Sequence, residues 1–195
     1  MRRKKIDRRI RKTEQQLQTG LAQLLLEKSV DKITVCELSD LVDINRGTFY
    51  LHYKDVFDML DQIETEILKD FCVLLNDYSS IFESCNTRPV LIDAFRFIAE
   101  NEEMLHVLLC EPGHLTFLNR LQAAFKENFF EYRLEKHHTE VSREIEYFYS
   151  YLVAGCMGLM IQWLNAGMKD SPEQMAKFTE IIILEGFKFF EAKVV

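Results

Sequence analysis

The chain has 195 residues, 48% of them apolar, with only 3 prolines and 7 glycines; this excludes a disordered chain and favours helices over a many-stranded sandwich. Its net charge of −7 conceals a division, because residues 1–54 carry +5 and residues 55–195 carry −12. A uniformly acidic surface would be repelled by nucleic acid, whereas a cationic front end orients the molecule towards phosphates.

Eight Lys/Arg residues fall within positions 2–12, a run that fits a solvated tail or a nucleic-acid-binding arm. The first helix is predicted from about Asp7 to Glu27, with Ile10, Leu17, Leu21, Leu24 and Leu25 on one apolar face. Thr34 then caps a second helix, and Glu37 three residues later completes a capping box. This helix offers Leu38, Leu41 and Val42 to a small core with Leu21, Leu25, Ile33, Ile44 and Phe49. Asp43 ends it, and Asn45 caps a short third helix over Arg46–His52.

Asp55 opens a fourth helix that reaches about Tyr78, with Phe57, Leu60, Ile63, Ile67, Leu68, Phe71 and Leu74/Leu75 as its apolar positions. Residues 79–89 form the least regular segment. Further helices are predicted over Pro89–Glu100, Glu102–Leu109, His114–Leu134, Ser142–Ala166 and Pro172–Lys193. Ser171, Pro172 and Gln174 make a clear helix start before the last of these. The expected fold is all-α with about nine helices: a three-helix helix-turn-helix head over 1–54 and a larger helical effector-binding and dimerisation body over 55–195.

Cysteines 36, 72, 85, 110 and 156 are odd in number and form no CxxC pair, the pattern of reduced thiols in a cytoplasmic protein. The basic N-terminus is not followed by an apolar stretch and does not read as a signal peptide. Tyr147–Leu164 is the longest apolar run, but it contains Ser150 and Gln162 and follows Arg143, Glu144 and Glu146. A buried interface helix suits it better than a membrane span.

Two short helices joined by a three-residue turn, the second bearing Arg46, Thr48, Tyr50 and His52, suit contact with bases and phosphates. The element order and the words INRGTFYLHYKD closely resemble the head of the TetR/AcrR family of transcriptional regulators, over about residues 8–60. The resemblance implies a homodimer whose two heads read a palindromic operator in double-stranded DNA. It assigns Arg46 and Thr48 to base or phosphate contacts, and Gly47 to close backbone approach. Tyr50, Tyr53 and Lys54 become phosphate contacts, with Tyr53 also packing, Thr34 a phosphate-binding helix start, and His52 a phosphate-facing or solvent-facing group. Arg8 or Arg9 would enter the minor groove. The chain departs from the family pattern at Asp43, where glycine is usual, and at Val56, where lysine is common. Aspartate tolerates the left-handed conformation that this turn requires.

Ser150, Ala154, Gly158, Gln162 and Ala166 fall four apart, a stripe of mostly small side chains that permits close helix approach. Phe148, Leu152, Leu159 and Trp163 flank it, and the last helix adds Phe178, Ile181, Ile182 and Phe189. Such an apolar helix at a chain end needs cover, and the resemblance implies a four-helix dimer interface. Phe71, Leu75, Phe82, Phe95, Ile98, His106, Leu109, Cys110, Phe125 and Trp163 are candidates to line an effector site. An aromatic stripe at helical spacing is also the signature of plain core. No metal and no cofactor is expected, since His106 and Cys110 gather no further ligands.

Glycine-rich phosphate loops, nucleophile elbows and paired metal motifs are absent from the sequence, which argues against an enzyme. The expected function is a repressor released by a small-molecule effector. The alternative is an activator of the same fold whose signal is a protein partner, because YFYSYLVAGCMGLMIQWLNAG resembles a Gram-positive subgroup that includes regulators of dihydroxyacetone kinase operons.

Overall fold

The computed structural model describes residues 8–77, 87–111, 115–126 and 143–194. Within them lie nine α-helices and no strand, in agreement with the all-helical expectation. Compactness divides the chain into Met1–Glu66 and Ile67–Val195. The segment 79–86, with Phe82 and Cys85, lies outside the described residues, as does 127–134 of the predicted seventh helix.

In the first unit, α1 (Arg8–Glu27) buries Leu17, Leu21, Leu24 and Leu25, the predicted stripe. Ile10, in the first turn of α1, departs from it and is exposed. A 3-10 turn (Val30–Lys32) leads into α2 (Val35–Leu41). Thr34 Oγ1 accepts the Glu37 N–H at 3.2 Å, so half of the expected capping box is in place. The Glu37 carboxylate instead takes Lys28 Nζ, which stitches the 3-10 approach to α2.

Leu38 is wholly buried, but Leu41 is exposed, contrary to expectation. It lies on the rim of an open groove of about 500 Å3 between α1 and α2, beside Leu24, Glu27 and Asp40. Gly20 explains how closely these helices pack. A Cβ on Gly20 would run into Val42 Cγ1 and stand 3.1 Å from Leu38 Cδ1.

Asp43 closes α2 at φ 54°, in the left-handed region where glycine is otherwise favoured. The Ile44 N–H then donates to Ser39 O at 3.0 Å, and Asn45 Oδ1 accepts the Gly47 N–H at 2.7 Å to start α3 (Arg46–Phe49). Regular helix therefore ends three residues before His52, the expected end. Beyond it the Leu51 and His52 N–H groups donate to Thr48 and Phe49 carbonyls, a tighter i+3 pattern.

The fourth helix, α4 (Val56–Asp77), begins with Asp58 N–H donating to Asp55 Oδ1 at 2.8 Å and Lys54 N–H donating to Asp58 Oδ2 at 2.9 Å. Val56, Met59 and Ile63 form its buried stripe in the first unit. Phe57 lies one position off that stripe and is exposed, contrary to the sequence reading.

The second unit holds α5 (Arg88–Glu100), α6 (Glu102–Cys110), α7 (Leu115–Lys126), α8 (Arg143–Asn165) and α9 (Pro172–Val194). α5 packs most extensively on α9, and α8 takes α6, α7 and α9 as neighbours. Two ion pairs fasten α5 to α9. Arg88 donates through Nε at 2.8 Å to the buried Glu180 carboxylate, and Arg96 donates through Nη2 at 2.7 Å to Glu173. Glu180 is tolerable in this core only because it is paired. The predicted start of α9 is fully formed: Gln174 N–H donates to Ser171 Oγ at 3.3 Å, and Ser171 N–H to Gln174 Oε1 at 2.7 Å.

Candidate nucleic-acid interface

A four-residue helix has a definite orientation only if something anchors it. Here the anchor is Phe49, wholly buried and edge-on to Tyr50 with ring centroids 5.6 Å apart. Tyr53, one turn later, is also buried, 5.7 Å from the Phe49 ring. With those two turned inward, Arg46, Gly47, Tyr50 and Lys54 are exposed and Thr48 is half-buried. The outer face thus carries two cations, a phenol and a bare stretch of backbone.

Each predicted residue has a definite place. The Arg46 guanidinium reaches back to α2 and donates to Cys36 Sγ, whose thiol in turn lies 3.4 Å from Asp40 Oδ2. The sequence reading did not single out Cys36 and Asp40 as partners of Arg46. Gly47 has a local reason beyond the close approach expected of it, since a Cβ there would stand 3.1 Å from the capping oxygen of Asn45. Thr34 is exposed at the start of α2, its hydroxyl already engaged as the cap.

His52 is turned towards α1. Its Nδ1 is 3.2 Å from Glu14 Oε1 on α1, with only 12% of its side chain exposed. Val56 is buried, so this position belongs to the core of the first unit. Arg8 and Arg9 occupy the first turn of α1.

Tyr53 is held beneath the face rather than on it. Burial pushes its phenol up to about 12, and the Glu14, Glu66 and Asp58 carboxylates add to the shift.

The other predicted sets fall in the second unit. Phe95 is wholly buried and edge-on to Trp163 at 5.3 Å, and Trp163 Nε1 donates to Asp170 O at 2.9 Å. Phe71 and Leu75 are buried, and Phe71 stacks obliquely on Phe97 at 5.8 Å. His106, Leu109 and Cys110 are half-buried, and Ile98 is buried. Phe125 lies on α7 and Phe189 on α9. Burial raises the Cys110 and Cys156 thiols, the latter to about 11, which leaves both protonated at neutral pH. Among the described residues no group of three His, Cys, Asp or Glu side chains is arranged to hold a metal, and no helix is long and apolar enough to cross a membrane.

On α8, Ser150, Ala154, Gly158, Gln162 and Ala166 are all exposed, whereas Leu152, Met157, Met160, Trp163 and Leu164 are buried. A Cβ on Gly155 or Gly158 would meet nothing within 4 Å. Tyr147 and Tyr151 on α8, and Phe178, Ile181 and Ile182 on α9, are exposed as well.

The raised Tyr53 pKa gives a signed pH dependence. Below about pH 10 the phenol is neutral in both folded and unfolded chains, and its contribution is intact. Between about 10 and 12 only the unfolded chain ionises, so that contribution is progressively lost. At pH 11.5 the loss amounts to about 2 kcal/mol. Urea unfolding followed from pH 9 to 11.5 should show a steeper decline for the wild type than for Tyr53→Phe. Parallel declines would mean that Tyr53 is not held neutral by the fold.

Comparison with known proteins agrees with this geometry. A family model described as the transcriptional regulator C-terminal region, TetR_C_8, matches residues 86–185. The chain is 26% identical over 186 residues to the uncharacterized HTH-type transcriptional regulator YxbF of Bacillus subtilis (strain 168), covering 93% of this chain and 48% of that protein. It thus spans about half the length of this curated relative. Its fold resembles that of a TetR transcriptional regulator from Streptococcus agalactiae 2603V, with TM-score 0.57, 21% identity and coverage of 91% of this chain and 96% of the other. It also resembles DhaS, the dihydroxyacetone kinase operon activator, with TM-score 0.59, 17% identity and coverage of 91% and 97%. With a family match across half its length behind an N-terminal helix-turn-helix, the chain belongs to the TetR family of transcriptional regulators.

Proposed function

We propose that the chain is a dimeric, sequence-specific DNA-binding repressor of the cytoplasm, and that a small-molecule effector releases it from a palindromic operator. The observation that carries this reading is the outward face of α3 and its following turn. Arg46, Gly47, Tyr50 and Lys54 stand exposed there over buried Phe49 and Tyr53, and eight cations lie upstream.

In this reading α3 enters the major groove. Tyr50, Lys54 and the α2 start at Thr34 engage phosphates and supply most of the affinity, while Arg8 or Arg9 enters the minor groove. Arg46 leaves Cys36 to meet a guanine edge, and Thr48 reads beside it. Tyr53 and His52 hold the element from behind, through packing and through Glu14. In functional terms residues 1–54 read DNA and residues 55–195 bind effector and partner subunit, with the first turns of α4 packed into the first unit.

Self-association uses α8 and α9. Small exposed residues at 150, 154 and 158, in line with Gln162, let a second copy approach closely, and exposed Tyr147, Tyr151, Phe178 and Ile182 provide apolar area that a partner would cover. The effector lodges among the aromatic residues around Phe95 and Trp163. Because binding free energies are reciprocal, operator DNA must weaken effector binding by the factor with which effector weakens operator binding. An effector that saturates the body without altering operator affinity would end the induction model.

A second reading, activation in response to a protein partner, keeps the same interface and reverses the outcome; DhaS is an activator with this fold. Deleting the gene should raise transcription from the promoter that carries the operator. A fall would assign activation instead.

Two further measurements test the contacts. In anisotropy titrations against operator and random duplexes, Arg46→Ala should cost about 1–3 kcal/mol on the operator alone. Lys54→Ala should weaken both and flatten the salt slope by about one. Equal losses for Arg46→Ala on both duplexes would make it a phosphate anchor. Gly158→Leu should convert the dimer to a monomer by light scattering, since the open space at Gly158 leaves the subunit fold untouched. An unchanged mass would remove this face of α8 from the interface.

A further inference from the structure

Leu51 is 83% exposed, the most exposed of the large apolar side chains among the described residues. An exposed leucine alone is ordinary; the place of this one is not. It lies in the turn that prolongs α3, with its N–H donating to Thr48 O at 3.3 Å. Its sequence neighbours diverge: His52 is turned to Glu14, whereas Tyr50 is 59% exposed. Phe49 and Tyr53 occupy the opposite, buried side.

Leu51 is therefore the one aliphatic side chain on a face otherwise made of Arg46, Gly47, Thr48, Tyr50 and Lys54. Side chains on a helical turn lean over the turn before them. In this i+3 turn the residue behind Leu51 is Thr48, small and half-buried, which leaves Leu51 largely uncovered.

Groove chemistry then narrows what Leu51 can meet. Base edges in the major groove offer donors, acceptors and a single apolar group, the C5-methyl of thymine. Phosphates offer no apolar partner, and the amino group of cytosine would lose its water against a leucine without a replacement bond. We infer that Leu51 is a specificity-determining residue that selects a thymine in each half-site by packing on its methyl group. This rests on α3 being the recognition helix.

The test removes the methyl group and nothing else. An operator duplex is obtained by in vitro selection from random DNA with the full-length chain, and each thymine is replaced in turn by deoxyuridine. One position per half-site should weaken wild-type binding roughly fourfold, the effect of a single methyl group returned to water, and roughly fifteenfold when both half-sites are changed. Leu51→Ala should be insensitive at that position while keeping the losses at all others. Leu51→Met, still apolar, should remain sensitive. Superimposable uracil profiles for wild type and Leu51→Ala would overturn the inference and place Leu51 off the bases. Failure of selection to enrich any sequence would overturn the DNA-binding reading, and this inference with it. Thermal melts of both variants should match the wild type, as expected for a side chain this exposed.

Discussion

The first unit depends on the burial of one ring. Four helical residues cannot hold their own conformation in water, so the orientation of α3 is that of its anchor, Phe49. With Phe49 inside, the register of the outward side chains from Arg46 to Tyr50 follows from helix geometry, and buried Tyr53 holds the turn beyond it. The anchor in turn needs the close approach of α1 and α2, which Gly20 makes possible, and the tight turn that Asp43 takes at φ 54°.

The polar residues around this anchor have structural duties even without DNA. Thr34 caps α2, Asn45 caps α3, and Arg46 is drawn back to Cys36 beside Asp40. Glu14 pairs with His52 and also raises the phenol of Tyr53. A surface built this way is ordered before it meets a ligand, which lowers the entropic cost of binding. The arginine contact with a thiol is the weakest of these restraints and the easiest to exchange for a charged or bidentate partner.

In the second unit a different arrangement serves a different end. Arg88 and Arg96 fasten α5 to α9 through Glu180 and Glu173, while Phe95 and Trp163 fill the space beside α8. These fastenings engage the inner sides of α8 and α9. Small residues and aromatic rings are left outward on the same two helices, which is the division expected of elements that pack internally and also present a surface to a partner.

Much of this was legible in the amino-acid sequence because it depends on local chemistry. Helix starts at Thr34, Asn45, Asp55 and Ser171 follow from side chains that reach backbone groups two or three residues away. The 3.6-residue stripe marked Leu17, Leu21, Leu24 and Leu25, and the order of helices followed from such stripes. Other features depend on neighbours distant in sequence, and periodicity carries no information about them. Leu41 and Phe57 are apolar and near the stripe yet exposed, because no helix among the described residues covers them. The partner of His52 is 38 residues away on α1, and the reason for glycine at position 20 is Val42. Likewise, only the folded head distinguishes Leu51 from Phe49, since two apolar residues in one short turn are equivalent on paper until packing decides which is buried. Local hydrogen-bonding chemistry is written residue by residue, whereas burial is a property of whatever the chain brings from elsewhere.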